Sequence, residues 1–163
     1  MCFVLYAGTT IAVPRKAFDK DAPDLSVESL GERDAAIKRF FSNPEVQYIG
    51  STSGCGCDFP HVMLQNGQWP TFEETEKDGL DIARDISDRR NREALVALLR
   101  TTGDKMVELY GVWDGGNEVF DKPPEAQEDI SVYRLLDSDF RFKEQGFYKV
   151  SLETKHPIRA TPE

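Results

Sequence analysis

Apolar and polar positions alternate along much of this chain, and each change in their period marks a change of element. Cys2 to Ala7 is an unbroken apolar run rich in β-branched and aromatic residues, the pattern of a buried strand, and Gly8 and Pro14 close it. Pro14, Pro23 and the charges between them mark residues 14–24 as a surface connection. Leu25 to Leu30 returns to period two, as in a half-exposed strand. Ala35, Ala36, Ile37, Phe40 and Phe41 then take helical spacing, which predicts a short amphipathic helix over 32–41. Asn43-Pro44 stops it, because proline disfavours helix in the residue before it. Val46 to Gly50 alternates again, and Val62 to Leu64 extends a strand or opens a turn before Asn66-Gly67.

The longest periodic stretch is Ile82 to Thr102, where Ile82, Ile86, Leu95, Leu98, Leu99 and Thr102 follow helical spacing. Asp85–Arg89 and Asp88–Arg92 are acid-first pairs four apart, worth a few tenths of a kcal/mol each, and Gly103 supplies the stop. Met106 to Trp113 reads as a strand. Asp114-Gly115-Gly116-Asn117 is a turn signal leading to Glu118–Phe120. Ile130 to Leu136 and Gly146 to Leu152 read as further strands. The expected architecture is a single α+β domain over residues 1–153. Its mostly antiparallel sheet of five or six strands is packed by one long and one short helix, with 154–163 as a C-terminal tail. Strands and helices do not alternate regularly, which argues against a doubly wound fold. The shared frame of Leu25–Leu30 and Ile130–Leu135 (apolar-Ser-Val-x-x-Leu) is too short to define a repeat.

Composition narrows the functional classes. At 163 residues, 39% apolar and 30% charged, the chain can bury a core without disulfide or metal staples. Acidic residues outnumber basic ones 29 to 20, a net charge of -9 that repels phosphate backbones. The longest basic cluster, Arg89-Arg90-Asn91-Arg92, is preceded by Asp85 and Asp88, so nucleic-acid binding is not expected. No apolar run reaches the length of a membrane span, and the N-terminus lacks the features of a secretory signal. The expected compartment is cytoplasmic and reducing. Three cysteines form no even disulfide framework, which agrees with it.

The chemistry concentrates in Gly50-Ser-Thr-Ser-Gly-Cys-Gly-Cys-Asp-Phe-Pro-His61. Cys55 and Cys57 flank a glycine, and in extended chain their side chains share a face. If the strand bearing Cys2 lies beside the strand ending at Gly50, Cys2 approaches them. Cys2, Cys55, Cys57 and His61 would then supply a Cys3His set for tetrahedral zinc, although the spacing departs from the usual C-x2-4-C. A second reading makes Cys55 or Cys57 a nucleophile or redox thiol with His61 as base. Asp58 and the lack of Lys or Arg in the loop oppose it, since thiolates need a positive neighbourhood. A third makes Cys2 an N-terminal nucleophile after removal of Met1, against which stands the presence of Met1. The competing structural reading is that the thiols pack as small apolar groups beneath Trp69 or Trp113. The set Glu73, Glu74, Glu76, Asp78 lacks calcium-loop spacing and reads as solvated surface. Trp113-Asp-Gly-Gly lacks the helix a phosphate cradle needs, and His156 sits in the tail. A small-molecule or protein partner is open, and Trp69–Phe72 is a candidate interaction loop.

Met1-Cys-Phe-Val-Leu-Tyr-Ala-Gly8, Tyr48-Ile-Gly-Ser-Thr-Ser-Gly-Cys-Gly-Cys-Asp-Phe59 and Phe140-Arg-Phe-Lys-Glu-Gln-Gly-Phe-Tyr148 together resemble a family of uncharacterised bacterial proteins. That resemblance implies a bacterial cytoplasmic protein and assigns no catalytic residue.

Overall fold

The apolar run at the N-terminus forms the strand around which the sheet is assembled. The computed structural model describes residues 2–75, 82–115 and 120–153. Strand β1 (Cys2–Thr9) pairs antiparallel with β3 (Glu45–Gly50) on one side and β5 (Met106–Asp114) on the other. Beyond β3 lies β2 (Ser26–Ser29), and beyond β5 lies β8 (Gly146–Ser151), then β6 (Ala126–Ser131), giving the order β2-β3-β1-β5-β8-β6. Among the described residues of this sheet, the β6–β8 pair alone is parallel. The fold is a single α+β domain with a mostly antiparallel six-stranded sheet, as the pattern predicts. A separate parallel pair joins β4 (His61–Val62) to β7 (Phe142–Lys143).

Period-two alternation on β1 serves two apolar layers. Phe3, Leu5 and Ala7 face a core shared with Leu95, Val96 and Leu99 of helix α2 (Ile82–Arg100). Val4 and Tyr6 face the opposite layer, closed by Ile37, Phe40, Phe41 and Phe120. The segment expected as a short helix over 32–41 is a 3-10 helix at Ala35–Phe40. The strand expected at Glu118–Phe120 falls largely outside the described residues, although Phe120 itself is buried against Tyr6.

Two expectations need correction. Ile86 is 58% exposed, so the buried stripe of α2 is carried by Leu95, Val96 and Leu99, with Leu98 half-buried. The expected strand Ile130–Leu136 is a strand only to Ser131, after which Val132–Leu136 winds as a 3-10 helix. Ser131 caps that turn by accepting the Tyr133 N–H, and Val132 and Leu135, three apart, are buried together in the core shared with α2. The two segments that share the apolar-Ser-Val frame lie at opposite edges of the sheet, one starting at Ser26 and the other ending at Ser131.

Arg92 turns inward rather than lying on a solvated helix face. It is 6% exposed, and its guanidinium donates to the carbonyls of Leu135, Asp137, Ser138 and Phe140 at 3.3, 2.8, 3.5 and 2.7 Å. Burial pulls its pKa down to about 10, which leaves it cationic at neutral pH. A planar fork of donors explains why arginine, rather than lysine, holds this turn.

Candidate metal centre

Strand β3 ends at Gly50, while β1 runs on to Cys2, so the first residues of β1 lack a β3 partner. The thiol loop fills that place. Ser51, fully buried, organises its first half: its hydroxyl donates to the Cys55 carbonyl and accepts the Ser53 N–H at 3.2 Å, while its own carbonyl accepts the Gly54 N–H at 2.9 Å. Gly54 sits at φ +82, in the left-handed region, and a Cβ there would lie 2.8 Å from the Phe18 ring. From below, the fully buried Asn91 of α2 accepts the Thr52 N–H at 2.9 Å and donates to the Ser87 carbonyl at 2.9 Å. The loop is fixed to both the sheet and the helix.

Gly56 explains the Cys-Gly-Cys spelling. Its backbone lies directly on β1, where a Cβ would overlap the Phe3 carbonyl oxygen and come within 3.2 Å of the Val4 Cα. The two flanking cysteines are thereby set down beside the first residue of β1. The Sγ atoms of Cys2, Cys55 and Cys57 all lie within 4.8 Å of one another, and Cys55 and Cys57 are 3.0 Å apart. Cys2 is exposed, whereas Cys55 and Cys57 are half-buried. The Cys57 N–H points to the Cys55 sulfur at 3.4 Å, and Cys57 also packs against the core. Packing therefore accounts for part of one thiol's environment, and it does not account for the convergence of three.

The exit of the loop is equally constrained. Gly56–Asp58 forms one 3-10 turn, Phe59 is buried in the core, and Pro60 and Val62 accept N–H groups from Phe142 and Glu144 at 2.8 and 2.9 Å. His61 stacks on Phe3 with ring centroids 4.4 Å apart and planes 7° apart. Its Nδ1 lies 2.7 Å from the Phe59 carbonyl, an acceptor only, so Nδ1 carries the proton. The group that closes to metal-ligand distance contains the three thiols and not His61.

Tyr48 is a neighbour the sequence did not single out. Its hydroxyl lies within electrostatic reach of Cys55 and Cys2. Burial, reinforced by the Cys55 charge, pushes it up to about 12. Burial also pushes the Cys55 thiol upward, with the hydrogen bond to Cys57 adding to it. A raised thiol is the reverse of an activated nucleophile. Among the causes that act on the Cys55 thiol there is no Lys, Arg or His.

The remaining candidates fall elsewhere. Glu74 accepts the Thr71 N–H at 2.7 Å and Thr71 Oγ1 receives the Glu74 N–H, a capping box for helix α1 (Phe72–Thr75). Glu76, Asp78 and His156 lie outside the described residues. Trp69 donates its indole N–H to the Glu144 carbonyl and stacks under Lys143, and Arg141 covers Phe72, so these aromatics serve contacts within the chain. Among the described residues no helix is long and apolar enough to cross a membrane. No family model, curated protein or solved structure matches the chain. Its chemistry is therefore read from its own geometry.

Proposed function

We propose that this chain binds one thiophilic metal ion, zinc, through Cys2, Cys55 and Cys57, with a fourth tetrahedral position left to an exogenous ligand. The observation that carries this reading is the meeting of three sulfurs from two separate segments within 4.8 Å. A tetrahedral zinc site with Zn–S bonds of about 2.3 Å sets its sulfurs roughly 3.8 Å apart, a spacing that side-chain rotation about the present positions supplies. The ion offsets the mutual repulsion of three thiolates, two of them in a half-buried loop that contains no Lys or Arg. Bound there, it ties the loop to β1, and three protein ligands rather than four are the mark of a site that exchanges a ligand.

Elemental analysis of protein purified without chelator should give one zinc per chain. Serine at any one of the three cysteine positions should lower zinc affinity by at least about tenfold while preserving the fold. Loss of zinc in none of the three serine variants, or no stoichiometric metal in the parent chain, would sink the reading. Because Cys55 must lose its proton to bind, and burial holds that proton more tightly, affinity should rise with pH across the neutral range, with protons released on binding. Calorimetry in buffers of different ionisation enthalpy reads that release directly.

A further inference from the structure

The 3.0 Å separation of Cys55 and Cys57 is shorter than the sulfur–sulfur edge of a zinc site and longer than a disulfide bond of about 2.05 Å. The pair stands between two states, each about 1 Å away by side-chain rotation. Gly56 holds the intervening backbone on β1 in either state. Cys2 is anchored independently, opposite Asp114 in the β1–β5 register.

We infer that Cys55 and Cys57 are the site of a reversible two-electron oxidation to a disulfide, and that this oxidation and metal binding exclude one another. The second half of the inference rests on the metal reading, and the first half does not. The oxidant class is a hydroperoxide, with hydrogen peroxide the simplest member. One thiolate attacks a peroxide oxygen, the O–O bond breaks and hydroxide leaves, giving a sulfenic acid. The neighbouring thiolate attacks that sulfur, the S–S bond forms and a second hydroxide leaves. Two electrons pass from the sulfurs to the peroxide, and the two thiol protons end in two waters. Neither sulfur of the disulfide then carries the negative charge that held the metal. Zinc is left with Cys2 alone and dissociates. Proximity favours the 55–57 pair over either pairing with Cys2, because one glycine separates the partners and their sulfurs already touch.

The test exposes metal-free and zinc-loaded full-length protein to hydrogen peroxide, traps remaining thiols by alkylation and maps the peptides by mass spectrometry. Metal-free protein should yield a Cys55–Cys57 disulfide, two hydrogens lighter and reversed by a dithiol reductant, with Cys2 alkylated. The Cys2→Ser variant, which keeps the pair and loses the third ligand, should form the same disulfide. With free zinc at roughly a hundred times its Kd, disulfide formation should slow about a hundredfold, and each disulfide formed should release one zinc to a chromogenic chelator. A disulfide that engages Cys2, or oxidation that runs to sulfinic acid with no disulfide, would overturn the modification site. Equal rates with and without stoichiometrically bound zinc would overturn the exclusion. A chain that binds no zinc removes the metal reading and the exclusion with it, while the metal-free arm still decides the disulfide.

Discussion

A methyl group at position 56 would overlap the Phe3 carbonyl oxygen, and the obstacle is backbone, which cannot rotate away. Gly56→Ala should therefore lift the loop off β1 with all three cysteines intact, at a cost of about 2 kcal/mol from overpacking. Zinc affinity should fall at least as far as in a single cysteine variant, and denaturant midpoint and metal titration together check both effects. Unchanged affinity in Gly56→Ala would show that the close approach does not position the thiols. The cysteines and the glycine between them were legible in the sequence, because their spacing is local. Asn91 and Tyr48 were not. Asn91 sits in a run of charged residues, and only the tertiary path of the loop turns it into a buried anchor for Thr52. Tyr48 reads as one alternating strand residue until the loop brings Cys55 within electrostatic reach of it.

Among the elements, the 3-10 turn Val132–Leu136 and its continuation to Phe140 depend on a side chain from α2. Replacing Arg92 with methionine keeps much of the apolar stem and strips the donors from four carbonyls, at a cost of about 3 kcal/mol. Lysine, a single point donor, should recover only part of it. Thermal or urea unfolding of the two variants measures the difference, and a methionine variant as stable as the parent would contradict the role. This is also where the pattern of the sequence misled. Ser131 reads as a strand residue by alternation, yet its hydroxyl caps the following turn, and the Val132–Leu135 spacing of three fits a 3-10 turn as well as a strand end. Ile86 fits the helical stripe but is exposed. Periodicity specifies which face of a helix is apolar; the length of that face that is buried is set by the neighbouring element.

Taken whole, the molecule is a sheet with an apolar layer on each side, and four of its five tyrosines have phenols pushed above their ordinary pKa, chiefly by burial. Tyr48 and Tyr110 reach about 12. In the unfolded chain all five ionise near pH 10. The folded state therefore keeps protons that the unfolded state loses, so stability is fully present below pH 10 and declines as pH rises from 10 towards 12. Tyrosinate absorbance should accordingly appear for these four residues together with unfolding rather than ahead of it. Phenolate formed at any of these four residues in a chain that remains folded at pH 11 would contradict the packing. Sheet order was beyond the sequence, since alternation marks strands and says nothing of which ones pair. That order is what places β1 beside β3 and delivers Cys2 to the loop.

The convergence of three cysteines is the central claim, and X-ray absorption at the zinc edge of the loaded protein tests it most directly. The account predicts three sulfur scatterers at about 2.3 Å and one lighter atom completing the shell. A first shell with one sulfur or none would contradict it.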